Sequence, residues 1–159
     1  MVSCIFESRA YIAGAFLDTF PGGSGIPNDY ILQVQVSESP TSHGSFGVFF
    51  RNQPGLTHQG SYSFLLFPSG KWEANVYDDA TGKRTSLYKQ QATVQFDGLI
   101  TIDVAVHGST FTFYLNGQQQ GTVHNSLYPN GTIGLAIDVG SDVFFSNLAI
   151  YSLPNQRKR

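Results

Sequence analysis

The chain has 159 residues, a length typical of one domain, and it combines few charges with many aromatic side chains. Charged residues make up 13% of the chain, against a usual level of about 25%, and aromatic residues make up 14%. This composition excludes a disordered chain, because disordered chains are rich in charge and poor in aromatic residues. The scarcity of strong helix formers beside β-branched and aromatic residues argues against a helical bundle.

The charge distribution argues against nucleic acid as a partner. The net charge is −2, but Arg157, Lys158 and Arg159 supply three of the nine basic residues. The rest of the chain has six basic and eleven acidic residues, so it lacks the basic surface that binds phosphate backbones. We interpret residues 154–159 as a basic C-terminal tail behind a single domain over residues 1–153.

The sequence shows no membrane or secretion signal. No stretch approaches the roughly 18 apolar residues of a membrane-spanning helix, so membrane insertion is not expected. The first residues lack a basic segment followed by an apolar one, so no signal peptide is predicted. These features fit either a cytoplasmic protein or a domain of a longer secreted chain.

Short segments with two-residue alternation of apolar and polar side chains fill most of the chain. In chain order, this alternation predicts strands over residues 30–37, 46–51, 62–67, 71–77, 100–107, 111–115, 121–123, 133–139 and 143–153. Residues 5–16 are expected to add one or two strands, and residues 21–28 a loop. Pro68-Ser69-Gly70 and Asn116-Gly117 predict tight hairpin turns. About ten strands at a spacing of roughly 8–12 residues predict an all-β fold, a two-sheet antiparallel β-sandwich.

Several short motifs occur in a recognisable order: Asp29-Tyr30, Gly47-Val48-Phe49-Phe50-Arg51, Tyr62-Ser63-Phe64, Pro68-Ser69-Gly70-Lys71-Trp72, Val106 to Gly117, Gly131 to Leu135 and Phe144 to Leu148. In this order they resemble the concanavalin A-like lectin/glucanase superfamily. The similarity is to its laminin-G-like, family 66 carbohydrate-binding-module and 3-keto-disaccharide hydrolase-like branch, and it covers about residues 29–153. The resemblance implies a jelly-roll sandwich.

The resemblance also implies a location. Similar sandwich domains are appended to bacterial extracellular or membrane-bound proteins. We therefore expect an extracellular or extracytoplasmic domain that forms part of a longer chain.

The low charge favours a neutral, hydroxyl-rich ligand such as a glycan or oligosaccharide. Alternation places Arg51 on the outward side of its strand, and it places Glu73, Asn75 and Tyr77 on the outward side of another. These four residues are the candidate ligand-binding site on a concave sheet surface. In the alternative interpretation, Arg51 and Glu73 form a structural cross-strand pair and Tyr77 covers the sheet.

Two further aromatic residues, Tyr62 and Trp72, are candidate platforms for a sugar ring, because a planar aromatic side chain can cover the apolar C–H face of a sugar. Both also fit core positions.

The resemblance implies one possible metal site, since laminin-G-like domains hold a calcium ion at the rim of the sandwich. Asp138 and Asp142 flank Val139-Gly140-Ser141, where two carboxylates could converge on a structural Ca²⁺ ion. The same residue types are also ordinary turn formers. No other cofactor is expected.

The sequence does not show the carboxylate pair of a glycosidase. Family 16 glycoside hydrolases place Glu-x-Asp-x-x-Glu on one strand, and none of the three glutamates occurs in that spacing. A pair from different strands, such as Glu73 with Asp103 or Asp138, stays open. We predict no catalytic residue and a non-catalytic carbohydrate-binding or sensory module. A protein–protein adhesion or structural laminin-G-like module is the alternative, and a weak glycosidase-type enzyme is the second.

Overall fold

The computed structural model describes residues 2–3, 8–10, 27–53 and 60–153, and within these ranges the chain forms strands and no helix. The strands are β1 (Val2–Ser3), β2 (Ser8–Ala10), β3 (Tyr30–Glu38), β4 (Phe46–Asn52), β5 (Ser61–Leu66), β6 (Lys71–Asp78), β7 (Lys83–Gln91), β8 (Leu99–His107), β9 (Thr110–Leu115), β10 (Gln118–His124), β11 (Thr132–Ile137) and β12 (Val143–Ser152). The predicted tail over residues 154–159 and most of the predicted loop over residues 21–28 lie outside the described residues. In the described part of the chain, no helix could cross a membrane.

The strands form two antiparallel sheets that face each other across the core. The seven-stranded sheet has the order β1-β12-β3-β8-β9-β10, and β2 also pairs with β12. The five-stranded sheet has the order β11-β4-β5-β6-β7. This confirms the prediction of an all-β, two-sheet antiparallel sandwich.

The predicted alternation corresponds to the observed burial. In β3, Leu32, Val34 and Val36 are buried, whereas the intervening side chains are partly exposed. Side chains of β3, β8, β9 and β12 meet those of β4, β5 and β6 in one core. This core contains most of the aromatic surplus, including Phe46, Phe50, Phe64, Trp72, Phe111, Phe113 and Phe145. Because burial of a large apolar side chain stabilises a protein by about 1.5–3 kcal/mol, these residues are explained by the fold alone.

The predicted hairpin turns are confirmed by backbone geometry. Asn116 and Gly117 have φ angles of 50° and 78°, as the two central residues of a type I′ turn require. Gly70 has a φ of 88° in the turn between β5 and β6. Glycine suits that position because it adopts positive φ without a steric penalty.

One long strand, β7, was not predicted. All but one of its residues are exposed, so its sequence shows no alternation of apolar and polar side chains. It is an edge strand of the five-stranded sheet, and its register with β6 shifts between Ala74 and Asn75. An irregular, basic edge strand resists pairing with other chains.

Candidate functional site

A β-bulge near the end of β4 redirects Arg51. Phe50 and Arg51 together lie opposite Ile133 of β11, and Arg51 has a φ of 49°, in the left-handed region. Gly131 packs closely here, because a Cβ atom at this position would overlap the backbone of Arg51. As a result Arg51 is 2% exposed. The prediction that Arg51 lies on the outward face beside Glu73 is therefore wrong, because simple alternation stops at the bulge.

The guanidinium group of Arg51 joins three separate loops. It donates hydrogen bonds to the carbonyl oxygens of Asn28 before β3 (2.9 Å), of Gly108 between β8 and β9, and of Tyr128 between β10 and β11 (3.2 Å). Its central carbon also lies 5.2 Å from the centre of the Phe111 ring, within the range of a cation–π contact. Within the described ranges, no carboxylate forms an ion pair with Arg51. Arg51 is therefore a positioning residue that fixes these loops.

The loops joined by Arg51 wall a cleft at one end of the sandwich. The cleft has a volume of about 740 Å³, which falls within the range of about 300–1,000 Å³ of small-molecule sites. Its lining comes from five parts of the chain: Pro27, Asn28 and Asp29; Arg51; Gly108 and Ser109; Ser126 and Pro129; and Ser152 and Leu153.

The cleft offers several polar groups with unused hydrogen-bonding capacity. Oδ1 of Asp29 accepts a hydrogen bond from the N–H of Gly108 (2.9 Å), and Oδ2 lies 3.8 Å from Nε2 of His107. Among the residues that the structure describes, the side chains of three cleft serines and of Asn28 make no hydrogen bond; the serines are Ser109, Ser126 and Ser152. The carboxylate, amide and hydroxyl groups of the lining can thus bind a polar ligand.

Tyr62 fixes the wall of the cleft that lies between β10 and β11. Its hydroxyl donates to Oδ1 of Asn125 (2.6 Å) and accepts a hydrogen bond from the N–H of Tyr128 (3.1 Å). Burial raises the pKa of Tyr62 above its ordinary value. Since Tyr62 is 1% exposed, it cannot stack on a sugar, and its prediction as an aromatic platform is wrong.

Trp72 also lies in the core. It has no exposed surface, and it stacks on Tyr88 with a ring-centre distance of 5.1 Å and an interplanar angle of 18°. The edge of the Phe64 ring contacts it from within the same sheet, at 5.4 Å. The prediction of Trp72 as a platform for a ligand is therefore wrong. Trp72 occupies the core position that the alternation also allowed, and a ligand cannot reach it there.

The other three predicted ligand residues share β6 but do not form an open surface. Glu73 forms an ion pair with Lys89 of β7, with 3.5 Å between Oε1 and Nζ. The alternative ion pair of Glu73 with Arg51 is therefore not formed. Asn75 is 3% exposed, and its Nδ2 has no hydrogen-bond partner among the described residues. Tyr77 is half-buried, and its carbonyl oxygen accepts a hydrogen bond from the hydroxyl of Tyr128. Because Asn75 is buried, the centre of this face is not accessible to a ligand.

The predicted calcium ligands lie at the opposite end of the sandwich, in the loop between β11 and β12. Oδ1 of Asp138 accepts a hydrogen bond from the N–H of Val139 (2.7 Å), which is ordinary turn chemistry. The N–H of Asp142 donates to the hydroxyl of Ser42 (2.9 Å). Within the described residues, no three side chains of metal-ligating type converge. A calcium ion held by Asp138 and Asp142 stays a prediction.

The carboxylate pair that the sequence left open is separated by the core. Glu73 lies on the outward side of the five-stranded sheet, and Asp103 lies on the outward side of the seven-stranded sheet. Packed sheets are about 10 Å apart, and side chains on their outer faces are farther apart than that. Glycosidase carboxylates lie roughly 5–9.5 Å apart, so Glu73 and Asp103 do not form such a pair.

Comparison with known proteins shows the fold. No family model and no curated protein matches the chain. Carbohydrate binding module CBM66 from Bacillus subtilis is similar with a TM-score of 0.69, 13% identity, and coverage of 92% of this chain and 95% of that one. Galectin LEC-6 from Caenorhabditis elegans has a TM-score of 0.63, 14% identity, and coverage of 89% and 94%. Fructosyltransferase from A. japonicus has a TM-score of 0.74 and 16% identity; the match covers 99% of this chain and 28% of the enzyme.

These likenesses confirm the jelly-roll sandwich that the resemblance implied. The chain has the concanavalin A-like sandwich fold, in the same arrangement as a carbohydrate-binding module and a galectin. At such low identity the likeness extends to the fold and not to the function. The features that bear on function are therefore the cleft and the outer faces of the sheets.

Proposed function

We propose that this domain is a non-catalytic carbohydrate-binding module that holds a neutral sugar in the cleft. The observation that carries the proposal is the set of lining groups with unused hydrogen-bonding capacity, above all Asn28, Asp29, Ser109 and Ser126. Sugar hydroxyls both donate and accept hydrogen bonds, and amide and hydroxyl side chains do the same. Pro129 and Leu153 offer apolar surface for the C–H groups of a sugar ring.

The charges at the cleft favour a neutral ligand. Among the described residues of the lining, Asp29 is the one carboxylate, and its Oδ1 is already held by a backbone N–H. The Arg51 cation is 2% exposed and directed to three carbonyl oxygens, so it does not offer an anion site. An anionic sugar would meet the Asp29 carboxylate without an accessible Lys or Arg among the described lining residues.

The names of the similar proteins support a carbohydrate ligand. One is a carbohydrate-binding module, one is a galectin, and one is a fructosyltransferase. Because this chain corresponds to only 28% of the fructosyltransferase, it matches a part of that enzyme. Fructans are therefore the first glycans to test. An extracytoplasmic location within a longer protein, as the sequence resemblance implies, belongs to the same proposal.

The proposal can be tested by isothermal titration of fructo-oligosaccharides and by a glycan array, each with calcium and with EDTA. The informative variant is Ser126→Trp, which fills the cleft from an exposed loop position. Its matched control is Ser69→Trp, in the exposed turn between β5 and β6. We expect Ser126→Trp to weaken binding at least tenfold and Ser69→Trp to bind as the parent does.

Two results would overturn the proposal. One is a parent protein that binds no sugar and is retained by a specific protein partner, as an adhesion module would be. The other is a Ser126→Trp variant that binds sugar with parental affinity. Binding that requires calcium would support the metal site at Asp138 and Asp142, whereas equal binding in EDTA would count against a calcium-dependent ligand.

A further inference from the structure

The five long strands of the seven-stranded sheet carry almost no charge on their outward side. These strands, β3, β8, β9, β10 and β12, contain no lysine and no arginine. Asp103 is the one carboxylate at their outward positions, because Glu38 pairs with the core residue Val143 and lies in the inward phase. An ordinary protein surface is about 25–35% charged, so this face is strongly depleted in charge.

A row of polar side chains crosses this face perpendicular to the strands. Gln33 pairs with Asp103, Asp103 pairs with Tyr114, and Tyr114 pairs with Gln119, on the neighbouring strands β3, β8, β9 and β10. Neighbouring strands lie about 4.8 Å apart. The row therefore presents an amide, a carboxyl and a phenol group at intervals comparable with the length of one hexose unit in an extended chain.

The row is accessible and retains polar atoms for a ligand. Gln33, Asp103 and Tyr114 are all partly exposed. Nε2 of Gln33 donates to Oδ1 of Asp103 at 2.8 Å, which orients both groups and leaves Oε1 of Gln33 and Oδ2 of Asp103 for other partners. Within the described chain, the Tyr114 hydroxyl makes no hydrogen bond, and its ring can cover the C–H face of a sugar.

We propose that this face is a second binding surface, which takes an extended neutral polysaccharide along the row from Gln33 to Gln119. A neutral chain needs no ion partner, and its hydroxyls match the amide and carboxyl groups of the row. None of the row residues lines the cleft, so the surface does not depend on the cleft being a sugar site. The two sites would bind different ligands: the cleft would hold a sugar, and the sheet would hold the surface of a polymer.

The placement of apolar side chains favours a polysaccharide over a protein partner or a second copy of the chain. Protein interfaces concentrate their binding energy in apolar and aromatic anchors near the centre. On this face the large exposed residues Leu99 and Phe144 lie near one end, on either side of Ser37, and Tyr151 lies near the other end, opposite Ile31. The centre instead consists of the polar row, in which Tyr114 is the one aromatic residue.

The experiment is sedimentation of the full chain with insoluble cellulose, curdlan and chitin, and affinity electrophoresis in gels that contain levan or mannan. Two variants change the face at outward positions: Tyr114→Ala removes the ring, and Thr101→Lys introduces a charge beside Asp103. The matched control is Ser86→Lys, at an exposed position of β7 on the other sheet. Thermal unfolding verifies that each variant is folded.

We expect at least one of these polysaccharides to retain the parent, and both face variants to lose at least tenfold in retention. Ser86→Lys and the cleft variant Ser126→Trp are expected to bind as the parent does. The proposal is overturned if the parent is retained by none of the polymers, or if both face variants are retained like the parent. Loss of polymer binding in Ser126→Trp alone would also overturn it, because the cleft would then hold the polymer end. A parent dimer that Thr101→Lys dissociates would instead identify the face as a contact between copies.

Discussion

On the five-stranded sheet, the outward-facing residues at the centre are buried, whereas on the seven-stranded sheet they are partly exposed. Ser61, Ser63 and Asn75 are 3–5% exposed on the first sheet, but Gln33 and Asp103 on the second are accessible. The two outer faces also differ in charge, since the edge strand β7 alone has three basic residues and the long strands of the other sheet have none. Within a regular strand, alternation therefore determines the side that a residue faces, whereas solvent access decides whether a ligand can bind there.

The largest effect is expected at Arg51, which the alternation pattern assigned to the outward face and which instead is buried and joins three loops. Arg51→Met leaves three carbonyl oxygens without their donor, each from a different loop; the bond to Tyr128 is buried, and those to Asn28 and Gly108 are partly buried. We expect the free energy of unfolding to fall by about 3–5 kcal/mol, because unsatisfied buried polar groups cost about 1–3 kcal/mol each and are not fully additive. Urea denaturation measures this.

The control for Arg51→Met is Arg84→Met, at an exposed position of β7. It removes a basic residue that has no buried role, so it should stay within about 0.5 kcal/mol of the parent. Equal stability of the two variants would contradict the assignment of Arg51 as the residue that fixes the cleft loops.

A matched pair of lysine substitutions probes the difference between the faces directly. Asn75→Lys introduces a charge at a position that is 3% exposed, and Thr101→Lys introduces the same charge at a partly exposed position. We expect Asn75→Lys to lower the free energy of unfolding by about 2–3 kcal/mol, since an unpaired charge is costly to bury. Thr101→Lys should cost less than about 1 kcal/mol. A larger loss of stability in Thr101→Lys than in Asn75→Lys would contradict the conclusion that the seven-stranded sheet has the more accessible outer face.

A smaller effect is expected where the five-stranded sheet supports the cleft. Tyr62→Phe removes the hydroxyl that binds Asn125 and the N–H of Tyr128, and it keeps the ring in the core. We expect a loss of about 1–2 kcal/mol in the free energy of unfolding, as for one buried hydrogen-bonding group. Tyr88→Phe is the control, because the hydroxyl of Tyr88 is bound at the surface to Gln90. Amide hydrogen exchange should become faster at Ser126 and Leu127 in Tyr62→Phe alone, and unchanged exchange there would count against this role.

The smallest effect concerns the dependence of stability on pH. Partial burial raises the pKa of Asp103 above its ordinary value of 3.8, although the hydrogen bond from Gln33 opposes this. The folded protein therefore holds this proton more tightly than the unfolded chain. The contribution of Asp103 to stability is present at low pH and is lost as the pH rises from the unfolded pKa through the folded pKa.

Asp103→Asn should flatten the decline in stability over that range, which denaturation curves between about pH 4 and pH 7 can detect. The flattening should be partial, because burial also raises the pKa of Glu38 in the parent and in the variant. An unchanged slope in Asp103→Asn would show that Asp103 is as well solvated in the folded protein as in the unfolded one.

The fold could be predicted because its signals are local. Alternation in 30–37 and 100–107 depends only on which side chains one strand buries, and the Asn116-Gly117 turn depends on two adjacent residues that accept positive φ. The strand β7 was missed for the same reason, because an edge strand with both sides exposed has no alternation to detect.

The site could not be predicted because its determinants are distant in sequence. The bulge that turns Arg51 inward depends on Gly131 and Ile133, about eighty positions later in the chain. The cleft likewise combines residues between Pro27 and Leu153 that meet only when the sandwich closes. Asp29 was noticed as part of a fold motif, and nothing in its neighbourhood indicated that it would face a cleft.

All three hydrogen bonds from Arg51 end on main-chain oxygens, and every type of residue supplies such an oxygen. The side chains at Asn28, Ser109 and Ser126 can therefore be exchanged without loss of a single acceptor of Arg51. Backbone carbonyl groups therefore support the cleft, whereas side chains form the surface that a ligand would contact. A library randomised at these three positions would vary the lining of the cleft while the scaffold stays the same, which makes the domain a starting point for engineered binding proteins.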